Sequence, residues 1–326
     1  MVTKTLKLHT REIHLNTTYD IIPDIHGQFE KLIRLLNKLG WYQKNSTWRH
    51  PDKQRRMIFL GDFIDRGDGN RNVLQLVRNL IDSEMAWAVM GNHELNAIYF
   101  HSQDPETGLP LRSHTRNNVE QHKSFLKEFP LGESETDEMI NWFCSLPTFI
   151  DFDDFGVVHA CWSKAAIDTI RNYNLDGIFS RKIYIENNLK KNKTYMALEM
   201  LTKGPEERLP SNSFFTDKTG IKRHSLRLAW WRHDAKSWRD LSLSVPDLET
   251  IPNVPFNNWK KIELYSKTGA PIFFGHYWMK YPPKIESENV LCLDCSAGTT
   301  GPLISYHFDP SNPSIDVKNI IADRFP

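Results

Sequence analysis

Three short runs near the start of the chain carry side chains of the kind that bind metal ions or move protons. Asp24, His26 and Gly27 form the first. Gly61, Asp62, Asp65, Arg66 and Gly67 form the second, and Gly91, Asn92, His93 and Glu94 the third. Two single histidines come later: His159 ends an apolar run that starts at Gly156, and His276 follows Phe274 and Gly275. One such run is weak on its own, because a histidine satisfied in a core or on a surface is the commoner case. Five in order are not an accident of composition. Asp24, His26, Asp62, Asn92, His159 and His276 make a six-donor set for metal, provided that the fold draws them together.

The elements around them say how it would. Each of the first three runs follows a short apolar stretch that reads as a strand, at 19–23, 56–60 and 86–90. Between the strands lie segments with helical spacing. Phe29, Leu32, Ile33, Leu35, Leu36 and Leu39 make one apolar stripe over 28–39, closed by Gly40, and Val73, Leu74, Leu76, Val77, Leu80 and Ile81 make the next. The plan is β-α-β-α-β, and in an open α/β sheet ligands gather in the crevice beyond the strand C-termini. Further strands read at 149–152, 156–159, 271–274, 290–293 and 303–308. His159 and His276 therefore sit at strand ends too. Two polar, irregular stretches, about 101–147 and 165–262, hold helical pieces at 119–129 and 183–201 and are read as insertions that shape a cleft.

The 326 residues suffice for one large catalytic domain, and the whole chain, 1–326, is read as one. Lys and Arg number 41 against 40 Asp and Glu, with 40% apolar residues, which excludes wholesale disorder and offers no general basic field for nucleic acid. Nucleic acid is therefore not an expected partner. The four cysteines, Cys144, Cys161, Cys292 and Cys295, are too sparse for a disulfide scaffold and fit a reducing compartment. Cys292 and Cys295 lack a second pair and lie in an apolar strand, so they read as core thiols. Residues 1–10 contain no continuous apolar segment and no run is long enough to span a membrane, so a soluble cytoplasmic protein with no membrane partner is expected.

In order and content the five blocks resemble those of the calcineurin-like metallophosphoesterases: GD-x-HG, GD-x-x-DRG, GNHE, a lone H, and GH. The complete Asp65, Arg66, Gly67 element points to the phosphoprotein phosphatase branch and its bacterial relatives, among them symmetrical diadenosine tetraphosphate hydrolases. The likeness runs from about 20 to 308 and leaves the two insertions unmatched. It implies a four-layer α/β/β/α sandwich of two sheets with metals at the sheet ends; spacing alone gives only α/β. Pro23 departs from it, standing where the family usually has glycine, so the turn carrying Asp24 lacks one backbone donor. The stretch 289–298 resembles the bacterial relatives more than the eukaryotic protein phosphatases.

Carried over position by position, the resemblance gives Asp24, His26 and Asp62 to one metal ion and Asp62, Asn92, His159 and His276 to a second, with Asp62 between them. Such mixed donors suit Mn²⁺, with iron or zinc as alternatives, better than Ca²⁺ or Mg²⁺. A hydroxide bridging the two ions would attack phosphorus in line. His93 would protonate the leaving oxygen, Asp65 would orient and charge that imidazole, and Arg66 would clamp phosphate oxygens. Asn92 and Arg232 are read as further phosphate contacts, with Arg239 in reserve. Arg112, His114, Arg116, His122 and Lys123 are read as lining the cleft entrance. Trp230 and Trp231 read as core, and the basic run 181–193 as a solvated helix face.

The expected substrate is a phosphate monoester, in a phosphoprotein or a small phosphorylated metabolite. The alternative is a symmetrical dinucleoside polyphosphate hydrolase. A phosphodiesterase or nuclease sits poorly with the near-neutral charge. A non-catalytic binding module sits poorly with retention of all six donors plus His93, Asp65 and Arg66.

Overall fold

The computed structural model describes residues 16–45, 47–217 and 220–324. The opening stretch, 1–10, lies outside them. Two mixed sheets face each other. The first runs in the order Ile320–Ala322, Ile304–Phe308, Thr18–Ile22, Arg55–Phe59, Ala86–Ala88, with the last three parallel and the two C-terminal strands antiparallel. The second runs Val290–Cys292, Ile272–Phe274, Gly156–Val158, Phe149–Asp151, with its first three strands parallel.

Both sheets are covered on both faces, and the period-two alternation of strand side chains sorts the residues into two cores. Tyr19, Ile21 and Ile58 of the first sheet meet Val157, Phe273 and Leu291 of the second in an inter-sheet layer. Their neighbours Ile22, Met57, Phe59, Val158, Ile272 and Phe274 point outward and join the helices. Aromatic rings fill the inner layer: Phe155 lies 4.4 Å from Phe152, 5.1 Å from Tyr19 and 4.7 Å from Phe308 between centroids. Helix Phe29–Lys38 buries Leu32, Leu35 and Leu36, and helix Asn70–Asp82 buries Val73, Leu74, Leu76, Val77 and Leu80. The arrangement is the expected α/β/β/α sandwich.

Differences from expectation lie at element ends and in the insertions. The third strand pairs over Ala86–Ala88; Val89 still donates to Phe59 O of the neighbouring strand, and Met90 turns away to donate to Pro147 O. Pro23 falls just past the last paired residue, Ile22, so its missing N–H costs no ladder bond. The helix expected over 119–129 is two short helices, Arg116–Gln121 and Lys123–Glu128, that meet at His122. The one expected over 183–201 breaks at Lys191, whose φ is 44°, and restarts when Asn192 caps the N–H of Tyr195 at 3.0 Å. Arg181 leaves the expected solvated face and ties the insertions together, donating to Ser102 Oγ, Asp137 Oδ1 and His101 O. Trp230 and Trp231 are core residues packed on Phe274, and the four cysteines are free and buried. Among the described residues no helix is long and apolar enough to cross a membrane.

Two buried charges join distant parts of the chain. Lys31 places its ammonium on three carbonyls, Ala297 O at 2.6 Å, Thr299 O at 3.0 Å and Gly301 O at 3.0 Å. Asp20 is fully buried and accepts two bonds from Arg55, at 2.6 and 2.8 Å, and one from Trp41 Nε1 at 2.8 Å. Burial pushes the Asp20 carboxyl up, but His307, Arg55 and Trp41 outweigh it and hold it below its ordinary value. A carboxyl depressed in the folded state stabilises the fold above its unfolded pKa, near 3.9, and loses that contribution as pH falls through the folded value. Asp20→Ala should therefore cost about 3 kcal/mol at pH 7, since it leaves a guanidinium unpaired. Denaturant titration should show the deficit shrinking below about pH 4. A pH-independent deficit would mean that packing, not charge, is what Asp20 supplies.

Candidate active site

The loops leaving the three parallel strands of the first sheet meet those leaving Gly156–Val158 and Ile272–Phe274. Glycine permits the approach. A Cβ on Gly91 would stand 2.2 Å from Asp62 Oδ1, and one on Gly275 would stand 2.0 Å from Asp24 Oδ1, so both carboxylates lie directly on neighbouring backbone. His26, Asp62, Asp65, Arg66 and His276 all have φ between 50° and 73°. Such conformations persist in non-glycine residues only where the surroundings impose them. Glu94 is the main restraint. Its buried carboxylate accepts the N–H groups of Asp62 at 2.8 Å, Phe63 at 2.9 Å and Gly91 at 2.9 Å, locking the second and third loops to each other. Its presence in the third run was the only sign of this.

Two histidines are oriented alike. His26 gives its Nδ1 proton to Ile64 O at 2.9 Å and His159 gives its own to Leu60 O at 2.7 Å, which turns each Nε2 toward the crevice. Asp62 lies between them, with Oδ2 3.6 Å from His26 Nε2 and Oδ1 3.4 Å from His159 Nε2. It belongs to two groups of donors, one with His26 and His93 and one with His159 and His276, each spanning no more than 4.8 Å. Asn92 Oδ1 lies 3.1 Å from His159 Nε2 and 2.8 Å from His276 Nδ1. Asp24 stands outside both tight groups. Its Oδ2 is 3.9 Å from His26 Nε2, and its two oxygens accept the His276 N–H at 3.0 and 3.2 Å.

Whether these residues suit metal can be judged from what they leave unsatisfied. Nε2 of His26 and of His276 are buried with no hydrogen-bond partner among the described residues, an uncommon state for a buried polar atom. Burial holds His26 down to about 3 and His276 well below its ordinary value, so both rings remain neutral with a lone pair to offer. Burial, followed by the charges of Asp294 and Asp62, pushes the Asp24 carboxyl well above the carboxylate range. Asp294, fixed by the N–H groups of Trp278 at 2.7 Å and Ser296 at 2.8 Å, was not singled out from the sequence. Unsatisfied imidazoles beside crowded buried acids fit divalent cations.

Beside this set, His93 Nδ1 lies 2.5 Å from Asp65 Oδ2, and its Nε2 lies 3.9 Å from Asp62 Oδ2. Burial works against a charged ring there, but Asp62 and Asp65 more than compensate and the His93 pKa is raised. Arg66 is exposed, its guanidinium 4.5 Å above the Trp278 ring, with no carboxylate within ion-pairing distance among the described residues.

Arg232 is a correction. Its guanidinium bonds both oxygens of Glu286, at 2.8 and 2.9 Å, and the carbonyls of Asp240 and Ser242, lining an open cavity of about 750 Å³ that contains none of the donors above. Arg239 is likewise spent on Glu249 and Ile251 O. Arg227, from strand Ser225–Leu228, lies nearer the donors, with Nη1 3.5 Å from the backbone carbonyl of His276 and Nε 3.5 Å from Glu206 Oε1. Of the five insertion residues read as an entrance, Arg116 is exposed and Lys123 is exposed and paired with Glu120. His114 stacks on Phe100 at 3.9 Å. Arg112, bonded to Asn118 and Gln121, lines a narrow pocket with His93. His122 lines the same pocket, but it is buried and bonded to Asp65.

The family model described as calcineurin-like phosphoesterase matches residues 17–277, a span that contains every donor named here. The chain belongs to the calcineurin-like phosphoesterase family. Within that family it is similar to the asymmetrical bis(5'-nucleosyl)-tetraphosphatase PrpE of Halalkalibacterium halodurans, 40% identical over 81 residues, or 25% of this chain and 32% of that protein. The PrpE protein of Bacillus velezensis is 32% identical over 146 residues, covering 44% of this chain and 55% of its own. The chain thus spans about a third to a half of the length of these relatives. Among solved structures it is similar to a cold-active protein-tyrosine phosphatase from a psychrophilic Shewanella species, with a TM-score of 0.48, 17% identity, and coverage of 92% of this chain and 81% of that one.

Proposed function

We propose that this calcineurin-like phosphoesterase hydrolyses a phosphate monoester, carried by a phosphoprotein or a small phosphorylated metabolite, with the help of two divalent metal ions. The observation that carries the reading is Asp62, common to two donor groups, with the Asp65-bound His93 beside it. Asp24, His26 and Asp62 would hold one ion and Asp62, Asn92, His159 and His276 the other, and the mixed donors favour manganese. Bound there, the ions supply Lewis-acid charge to phosphate oxygens and lower the pKa of water.

The chain's own residues do the rest. Arg66, braced on Trp278, grips two phosphate oxygens with its planar fork. Arg227 adds a second guanidinium near His276 in place of the expected Arg232. Asp65 fixes Nδ1–H of His93, so Nε2 faces the crevice and gives its proton to the leaving oxygen. The free, buried cysteines support a reducing compartment such as the cytoplasm.

The names of the similar proteins favour a second reading, hydrolysis of a dinucleoside polyphosphate. Those relatives are named as asymmetrical hydrolases, whereas the alternative read from the sequence is a symmetrical one. Metal-stripped protein should be inert toward p-nitrophenyl phosphate and recover turnover with Mn²⁺. Turnover confined to diadenosine tetraphosphate would install the second reading. A Mn²⁺-loaded protein inert toward monoesters, diesters and polyphosphates alike would leave only a binding module.

A further inference from the structure

Asp65 has two carboxylate oxygens, and the reaction proposed above uses one. The other, Oδ1, lies 2.8 Å from Nδ1 of His122. His122 is buried at the point where helices Arg116–Gln121 and Lys123–Glu128 meet, with its ring stacked on Phe125 at 4.8 Å and 23°. Its far nitrogen, Nε2, faces Nε2 of His101 at 3.1 Å. His101 is itself anchored, because Arg181 donates to its carbonyl. A line of four side chains results: His101, His122, Asp65, His93.

The hydrogen-bonding roles along this line follow from the carboxylate. Burial raises the Asp65 pKa, but the two imidazoles outweigh it and hold the group below the ordinary carboxylate range, so it is ionised and can only accept. Both rings must therefore present Nδ1–H to it. Burial and the neighbouring His122 and Arg181 push His101 down to about 3, which keeps that ring neutral. With an N–H fixed on each oxygen, the Asp65 carboxylate cannot turn about its own axis, and the His93 ring bonded to it keeps one plane.

We propose that His122, backed by His101, is a positioning residue: it pins the second oxygen of Asp65 and so aims Nε2 of His93 at the leaving oxygen. The first insertion thereby becomes part of the proton-delivery machinery. This inference rests on the reading of His93 as proton donor, and its test separates the two. His122→Phe keeps the stacked ring and removes both nitrogens, whereas His122→Asn returns an amide N–H near the place of Nδ1.

On phenyl phosphate, whose leaving group needs a proton, His122→Phe should lower kcat about 10- to 100-fold with KM little changed, as loss of an orienting partner does elsewhere. On 2,4-dinitrophenyl phosphate it should leave kcat nearly intact, and His122→Asn should recover most of the loss. In the metal-free protein, nuclear magnetic resonance should show the Nδ1–H signals of His93 and His122 on Asp65, of which His122→Phe removes one and displaces the other. If His122→Phe fails to fold, His101→Phe, which leaves Asp65 untouched, should give the same leaving-group-dependent loss to a smaller extent. Equal loss on both esters, or none on phenyl phosphate while His93→Ala shows the dependence, overturns the role of His122. Absence of the dependence in His93→Ala overturns the proton-donor reading itself.

Discussion

Asp62→Asn should fold, bind little metal and lose more than about a thousandfold in kcat. Asparagine keeps Oδ1, and with it the bond from the His93 backbone N–H at 2.9 Å, so the loop has no reason to open. What it lacks is the negative charge facing His26 and His159 from its two oxygens. Removing a single preorganised electrostatic donor from an active site costs roughly 10²–10³ in kcat. Asp62 serves two donor groups at once, so its loss should exceed that range. Metal content per chain and kcat on an aryl phosphate at saturating Mn²⁺ decide the matter. A variant that retains two ions and a tenth of the activity would show that these two groups are not the metal centre.

His93→Ala should keep its metal and lose about 10²–10⁴ in kcat on phenyl phosphate, the usual contribution of a positioned general acid. The loss should shrink as the leaving group becomes more acidic. Metal content is as informative here as rate, since His93 Nε2 falls within the same tight group as His26 and Asp62. If the alanine variant loses an ion, His93 is a ligand. If it keeps both and slows equally on every ester, His93 positions substrate and donates no proton.

The donor blocks were legible because each follows a strand, and parallel strands deliver their C-terminal loops to one edge whatever the intervening helices do. Asp62 and His159 leave different sheets, and the face-to-face packing of those sheets is what brings them within 3.4 Å of each other. What escaped the sequence is pairing between distant residues. Arg232, beside two tryptophans, had the look of a phosphate clamp, yet Glu286, from 54 positions away, takes its Nε and Nη2 and two carbonyls take its Nη1. Arg227 drew no reading from the sequence, since it falls inside the stretch 165–262 taken as an irregular insertion. His122 was grouped with the basic residues of the cleft entrance, whereas a helix break turns it inward onto Asp65. No local pattern announces such a contact.

The grip of Lys31 on the carbonyls of Ala297, Thr299 and Gly301 bears on the order in which a ribosome releases the chain. Asp24, His26, Asp62 and Asn92 emerge before the segment that roofs His26, where Gly298 packs against its ring. Until then the ammonium of Lys31 remains in water and the early acids are not yet confined together with Asp294. Closure of the fold around these buried acids therefore waits for that later segment.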